Sequence, residues 1–534
     1  MNRLCLLLCG FFLLIGCRKE NEVAPPEPSA NFSVQGGNCE APCEVSFIST
    51  ALNVSTYAWS FGDNERSTEA NPKHTYQVAG TYSVSLTVTG PGGTKTIDQP
   101  VVIRRSTPTK VWDKTIGGTG SDGLSMMVPA ADGGYLLGGW STSDQSGDKS
   151  ETSRGKMDYW VVKVNANGDK QWDKTFGGSD DDDLVAVVAT PDGGFLLGGI
   201  SYSGQSADKS EPAKSSTFLQ ADYWIVKINA NGTKQWDKTL GSSRSDVPKS
   251  MVATPDGGFL LGGNSYSDQS ADKSEASRGK EDYWIVKISG NGAKQWDKTF
   301  GGSGSDIMAA VVAAPDGGFL LGGLSDSGQS GDKSTPPKGP VVAGLTDYWV
   351  VKISAVGEKQ WDKTVGGAAN DDLTALLVTA DGGFLLGGNS DSNRSGDKSE
   401  DAKGGADFWV VKLDASGTKQ WDSTIGGNKA DLLHSMITNA DGSFLIGGSS
   451  FSGQSADKSE PSKGDFDYWL VKLTANGLKE WSKAFGGSDT DGLSSLVAAA
   501  DGSTLLAGNS DSSQSGDKSE NSKGKSDFWV VKVK

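Results

Sequence analysis

Histidine is almost missing from this chain: His74 and His434 are the only two in 534 residues. That excludes histidine-rich zinc centres and makes any Ser-His-Asp arrangement beyond residue 105 depend on His434 alone. Cysteine is as scarce, and Cys5, Cys9, Cys17, Cys39 and Cys43 all lie near the N-terminus. Basic charge is also short. Fifty lysines and arginines face 66 acidic residues, a net −16 with no basic run, so nucleic-acid binding is not expected. The apolar run Leu4–Ile15 is shorter than the ~20 residues of a membrane-spanning helix. No segment carries the 3.6-residue apolar period of an amphipathic helix, which leaves an all-β chain.

What the sequence has in abundance is repetition. Seven near-copies of a unit of roughly 60 residues run from Val111 to the C-terminus. Each holds a Trp-Asp step, at Trp112, Trp172, Trp236, Trp296, Trp361, Trp421 and Trp481, with Ser482 replacing the last aspartate. Each also holds an Asp-aromatic-Trp step, at Trp160, Trp224, Trp284, Trp349, Trp409, Trp469 and Trp529. In the second copy, Gln171–Phe176 reads as a short strand. Leu184–Thr190 is an apolar run stopped by Pro191-Asp192-Gly193-Gly194, and Phe195–Gly199 is a third run. Tyr223–Ile228 is a fourth, ending at the hairpin signal Asn231-Gly232.

Four short strands make an antiparallel sheet, and tandem sheets that cannot bury their own faces pack around a common axis as propeller blades. The array opens with a lone Trp-Asp strand (Lys110–Ile116) and closes with a lone Asp-Phe-Trp strand (Asp527–Lys534). Seven complete blades follow only if those two ends share a sheet, which would also remove free edges. Residues 106–534 are therefore expected to be a seven-bladed β-propeller, closed by pairing of its N-terminal strand with its C-terminal three. The units resemble the repeat propellers of secreted and lipid-anchored Gram-negative proteins, a resemblance that implies the fold and no single activity.

The N-terminus reads as targeting and spacing. Residues 1–16 have the form of a signal peptide, and Leu14-Ile15-Gly16-Cys17 resembles the lipobox of bacterial lipoproteins. That resemblance implies lipidation of Cys17 and an outer-membrane lipoprotein, at the cell surface or facing the periplasm, that meets the membrane through its lipid anchor only. Residues 17–28, charged and proline-rich, read as a tether. Within residues 29–105, Tyr57-Ala58-Trp59-Ser60-Phe61-Gly62-Asp63, then Asn71-Pro72-Lys73-His74-Thr75-Tyr76, then Gly80-Thr81-Tyr82 resemble the PKD domain. The resemblance implies a seven-stranded immunoglobulin-like sandwich acting as spacer or protein contact. The alternation of Tyr82, Val84, Leu86 and Val88 supports a strand independently. Asn64 stands where that family has glycine, and both tolerate positive φ. With Cys5 and Cys9 lost with the signal and Cys17 lipidated, Cys39 and Cys43 are expected to form one local disulfide in an oxidising compartment.

Three sets of residues are candidates for chemistry. Asp122, Asp182, Asp246, Asp306, Asp371, Asp431 and Asp491 each fall ten residues after a Trp-Asp tryptophan, in the loop leading to the strand nearest the axis. They could ring one mouth of the channel as a cation or polar-ligand site, or bond the backbone of their own turns. The long loop between second and third strands repeats Asp-Lys-Ser. In two copies it alternates oxygen ligands faintly as a calcium loop does: Asp144, Asp148 and Glu151, and Asp268, Asp272 and Glu275. Calcium is the one cofactor that pattern would take; the alternative is a lysine-paired loop. Trp140, Tyr202, Tyr266 and Phe451 are aromatic where most copies are polar, and flat rings beside carboxylates could stack on sugars.

The function expected from these residues is non-catalytic surface binding or adhesion, with a glycan or protein recognised through one propeller face. A carboxylate-pair polysaccharide hydrolase and a purely architectural envelope protein are the alternatives.

Overall fold

The computed structural model describes residues 23–104, 106–215, 220–340 and 344–534. The signal segment and Cys17 lie outside the described residues. The chain divides into two compact units, with the boundary between Ser106 and Thr107.

The N-terminal unit has seven strands: β1 (Phe32–Gln35), β2 (Cys43–Ser49), β3 (Thr56–Ser60), β4 (Arg66–Ser67), β5 (Lys73–Tyr76), β6 (Gly80–Gly90) and β7 (Gly93–Ile103). They form two sheets, ordered β1-β2-β5 and β4-β3-β6-β7. Val84, Leu86 and Val88 of β6 point inward onto Phe47, Trp59 and Tyr76. Asn64 takes the expected left-handed turn at φ 79°, and Cys39 and Cys43 are disulfide-bonded. His74 is structural: its Nε2 meets Asp63 Oδ2 at 2.6 Å and its ring stacks on Phe61 at 4.3 Å. The tether is shorter than expected. Pro28 is buried, Asn53 Nδ2 donates to the Glu27 carbonyl at 3.1 Å, and Lys95 pairs with Glu27 at 3.1 Å.

The second unit is built from seven four-stranded antiparallel sheets. Blade 1 contains Asp122–Pro129, Tyr135–Ser141, Asp158–Val164 and Lys170–Phe176, and the pattern recurs through blade 6. Blade 7 takes Asp491–Ala498, Thr504–Ser510 and Asp527–Val533 from the C-terminus and Lys110–Ile116 from the N-terminus, with Trp529 opposite Thr115 and Lys532 opposite Trp112. The first strand of each blade packs against those of its neighbours, and that of blade 7 packs against that of blade 1. This joins the ring.

Fully buried tryptophans fill the spaces between blades. Tyr159, Tyr223, Tyr283, Tyr348 and Tyr468 each donate their hydroxyl to the carbonyl of the next blade's tryptophan at 2.9–3.1 Å. Within a blade, the indole N–H donates to the Trp-Asp aspartate, as Trp160 does to Asp173 at 3.1 Å. Every first strand carries a β-bulge that leaves one residue unpaired: Ser125, Val185, Lys249, Ala309, Thr374, His434 or Ser494. The second glycine of the repeated Gly-Gly lies opposite the bulge. A Cβ on Gly199 would sit 2.0 Å from the Asp183 carbonyl, so only glycine lets the two strands close.

Candidate functional site

In each blade the long loop and the connection to the next blade emerge at one end of the sheet, and the two tight turns at the other. The first end holds the residues singled out above.

The seven aspartates do not form an open ring. Each is the first residue of its strand rather than part of the preceding loop, and each is 0 % exposed. The carboxylate folds back onto its own blade: Asp182 Oδ2 accepts the Gly178 N–H at 2.6 Å and the Ser203 hydroxyl at 2.9 Å. The same pair of donors recurs at Asp306, Asp371, Asp431 and Asp491. Burial pushes Asp182, Asp371 and Asp491 up to about 6 and Asp246 up to about 7, against hydrogen bonds that pull the other way. One oxygen caps the turn. The Oδ1 of Asp182, Asp246, Asp306, Asp371, Asp431 and Asp491 is buried without a hydrogen-bond partner among the described residues, and none of these carboxylates is exposed at a channel mouth.

The calcium reading is corrected as well. Asp148 Oδ2 accepts the Gly117 N–H at 3.1 Å and pairs with Lys523 of the preceding blade. Asp272 likewise accepts from Gly241 and faces Lys214 at 3.5 Å. This contact clasps neighbouring loops all round the ring, through Arg154–Asp208, Arg278–Asp332, Lys338–Asp397, Lys403–Asp457 and Lys463–Asp517. Glu151 pairs with Lys174 at 2.7 Å and Arg154 at 2.9 Å, and Glu275 with Arg278 at 3.2 Å and Lys298 at 3.3 Å. Asp144 accepts the Ser153 N–H at 3.3 Å, and the Asp268 carbonyl accepts the Ser270 hydroxyl at 3.3 Å. Among the described residues, no three His, Cys, Asp or Glu side chains converge on a metal position. The carboxylate oxygens of Asp148, Glu151, Asp272 and Glu275 are engaged by protein cations and amides.

The four aromatic residues separate into two kinds. Trp140 lies within the second strand of blade 1, half-buried over Gly123, where a Cβ would meet its indole at 2.3 Å. Phe451 packs on Phe466 at 5.2 Å with the Lys429 ammonium 4.1 Å over its ring, so its faces are taken. Tyr202 and Tyr266, at equivalent positions of adjacent blades 2 and 3, remain 39 % and 41 % exposed.

Beside Tyr266 lies a polar cluster that the sequence reading missed. Tyr266 is hydrogen-bonded to the buried Glu281; burial first, and that bond second, push its hydroxyl up to about 12. Burial raises Glu281 too, against the pull of Tyr266 and Lys249. Asp183, one residue beyond the buried Asp182, is pushed up to about 6 by burial and held down only by Lys249; its Oδ1 is buried without a hydrogen-bond partner. Lys249 is the bulge residue of blade 3 and is exposed. The signal was present in the column of seven bulge residues, where Lys249 and His434 are the only members able to carry positive charge. His434, the exposed bulge residue of blade 6, is lowered by desolvation from the protein packed around it, and no hydrogen bond joins it to a serine or an aspartate among the described residues.

Residues 23–104 match the family model of the PKD domain, and the N-terminal unit is a PKD domain. PKD domains occur in extracellular and surface proteins, adhesion-type proteins and secreted enzymes among them. A solved PKD1 domain of Vibrio anguillarum Epp is 31 % identical and covers 15 % of this chain and 99 % of its own, with a TM-score of 0.14 over the whole chain. Regulatory protein FlaEY of Caulobacter vibrioides is 24 % identical over 232 residues, 42 % of this chain and 24 % of the relative, so the chain spans about a quarter of that protein's length. Sqt1 of Chaetomium thermophilum covers 80 % of this chain and 99 % of its own at 10 % identity, with a TM-score of 0.41.

Proposed function

We propose that this chain is a non-catalytic binding lipoprotein of the outer cell surface, and that it recognises a glycan through the long-loop face of blades 2 and 3. The observation that carries the reading is the Tyr202–Tyr266 pair. Among the described residues these are the two exposed aromatic rings on that face. Tyr266 is bonded to Glu281, which with Asp183 faces Lys249, while Trp140 is half-buried and Phe451 is covered. A sugar presents an apolar ring face and a rim of hydroxyls, and stacking aromatics with nearby acceptors suits both. The anchor at Cys17 and the PKD unit fit display away from a membrane.

A glycan array with residues 18–534 tests this. Selective binding should appear, unchanged by EDTA because no three loop carboxylates converge among the described residues, and should be lost in Tyr202→Ala/Tyr266→Ala. A silent array, or binding indifferent to both tyrosines, would overturn it.

A further inference from the structure

The connection between β1 and β2 takes a detour. The two strands pair antiparallel, with Gln35 opposite Ser46, and a short hairpin would be enough to join them. Residues 36–42 cross to the other sheet instead, through left-handed backbone at Gly36 and Asn38 (φ 81° and 67°). There they lie along the end of β7, the edge strand of its sheet. The Asn38 N–H donates to the Val102 carbonyl at 2.9 Å, and the Arg104 N–H to the Cys39 carbonyl at 2.7 Å. The Ala41 N–H donates to the Arg104 carbonyl at 3.0 Å, and Arg104 Nε to the Asn38 carbonyl at 2.8 Å. An open strand edge invites pairing with another chain, and this strap closes the end of one.

The disulfide sits at the root of the strap. Cys39 belongs to the segment paired with β7, whereas Cys43 opens β2 and pairs with Tyr76 of β5 in the first sheet. Their bond therefore ties a segment held by one sheet to a strand of the other. The two sulfurs differ in access. Cys43 is buried in the domain core, but Cys39 is half-buried in a connection whose residues 36–38, 40 and 42 are exposed. The strap's bonds to β7 all run between half-buried or exposed residues, so little besides the crosslink protects them.

We infer that the Cys39–Cys43 bond is a redox-sensitive clasp, which on opening releases the strap and uncovers the edge of β7 from Val102 to Arg104. Those residues lie just before the unit boundary at Ser106. The reductant is a dithiol. One of its thiolates attacks Cys39 Sγ, the reachable sulfur, and Cys43 leaves as a thiolate that takes up a proton. The second thiol of the reductant then displaces Cys39 from the mixed disulfide. Two electrons and two protons pass from the dithiol to the two cysteines, and the dithiol closes into its own disulfide. Cys43 stays packed in the core as a small apolar side chain and β1 remains paired with β2, so the opening is local.

The test is hydrogen exchange of residues 18–534, in which Cys39 and Cys43 are the only cysteines, before and after treatment with dithiothreitol. Maleimide labelling should count two thiols without denaturant. Exchange at the Asn38, Ala41 and Arg104 amides should then rise by about tenfold or more, while Leu86 and Val88 of β6 and the propeller keep their rates. Reoxidation with diamide should restore the slow rates. Cys39→Ala/Cys43→Ala should exchange fast at the strap from the outset and ignore dithiothreitol, which separates the bond from any other effect of the reductant. If the native protein yields no thiols, if the strap stays slow with both thiols free, or if β6 speeds up as much as the strap, the inference falls.

Discussion

The joint between blades 4 and 5 and the joint between blades 6 and 7 use the same sequence positions, yet they hold together differently. At the first, Tyr348 donates to the Trp409 carbonyl at 3.0 Å, Lys338 clasps Asp397 at 3.2 Å, and Trp361 lies between Phe384 and Gly417. At the second, the half nearest the long loops is intact: Tyr468 donates to the Trp529 carbonyl at 3.0 Å and Lys463 pairs with Asp517. The other half has been released: Trp481 faces Thr504 with no hairpin over it. Inside blade 6, Ser482 also leaves the Trp469 N–H without an acceptor. The long-loop half carries the contacts common to both joints, so it holds the ring; the tight-turn half is where one joint could change without opening the circle.

The largest test of that difference is to delete the two tryptophans in turn. Trp361→Ala removes a ring packed on both sides and should cost about 3 kcal/mol, in the range of large aromatic truncations. Trp481→Ala removes one that already borders a cavity and should cost about half as much. Urea midpoints of the two variants check this, and equal losses would mean the joints are equivalent.

A change of pH strains all joints together. The buried Asp182, Asp246, Asp371 and Asp491 have folded pKa values above the unfolded carboxylate value, so the folded protein holds their protons more tightly. Stability from this source is fully present below about 3.8 and is lost as pH rises through about 6 to 7. Asp192, Asp256, Asp381 and Asp441, bonded to a hydroxyl and a lysine on the other face, are held down at about 2 and act oppositely, losing stability as pH falls below about 3.8. The melting midpoint should therefore be several degrees higher at pH 5 than at pH 7.5, read by differential scanning calorimetry. A flat profile would mean that the buried lysines facing these carboxylates, such as Lys209 opposite Asp182 and Asp222, neutralise them fully.

Ser482→Asp repairs the irregularity inside blade 6 instead. It would give the Trp469 N–H the acceptor that Trp349 has in Asp362 at 3.1 Å, and give Lys479 the partner that Lys359 has at 2.7 Å. A gain of about 1 kcal/mol is expected from one charge-assisted hydrogen bond replacing an unpaired buried donor. Loss of stability instead would show that the bonds Ser482 makes to the Asp457 carbonyl and Ser459 matter more.

The strand order, the joined ring and the PKD unit were legible in the sequence because each rests on a signal repeated seven times or matched along a whole domain. The candidate site was not. The strand of the second copy was read from Leu184, two residues after its start at Asp182, since a Gly-Gly stop looks the same whether the next strand begins at the aspartate or after it. Asp148 and Glu151 have ligand-like spacing, but the cations that claim them come from a neighbouring blade or a later strand, and no local pattern shows that. Lys249 was overlooked because a bulge does not appear in a hydrophobic pattern. Trp140, Phe451, Tyr202 and Tyr266 were indistinguishable by residue type, and only burial sorts them.

The smallest expected effect lies in the tyrosine bonds between blades. Five joints have one; the other two have Phe408 beside Trp469 at 5.0 Å and Phe528 beside Trp160 at 4.9 Å, with the same tilted rings and no hydroxyl. Tyr348→Phe should therefore keep its packing and lose about 1 kcal/mol, the net worth of one hydrogen bond to a buried carbonyl. Phe408→Tyr should gain a few tenths to about 1 kcal/mol by the same argument. In a ring of nearest-neighbour contacts, local opening follows the weakest joints. Hydrogen exchange should thus be fastest at the third strands flanking Phe408 and Phe528, and Phe408→Tyr should slow the first of these and leave the second alone. Equal slowing at both would mean that the blades open as one body rather than joint by joint.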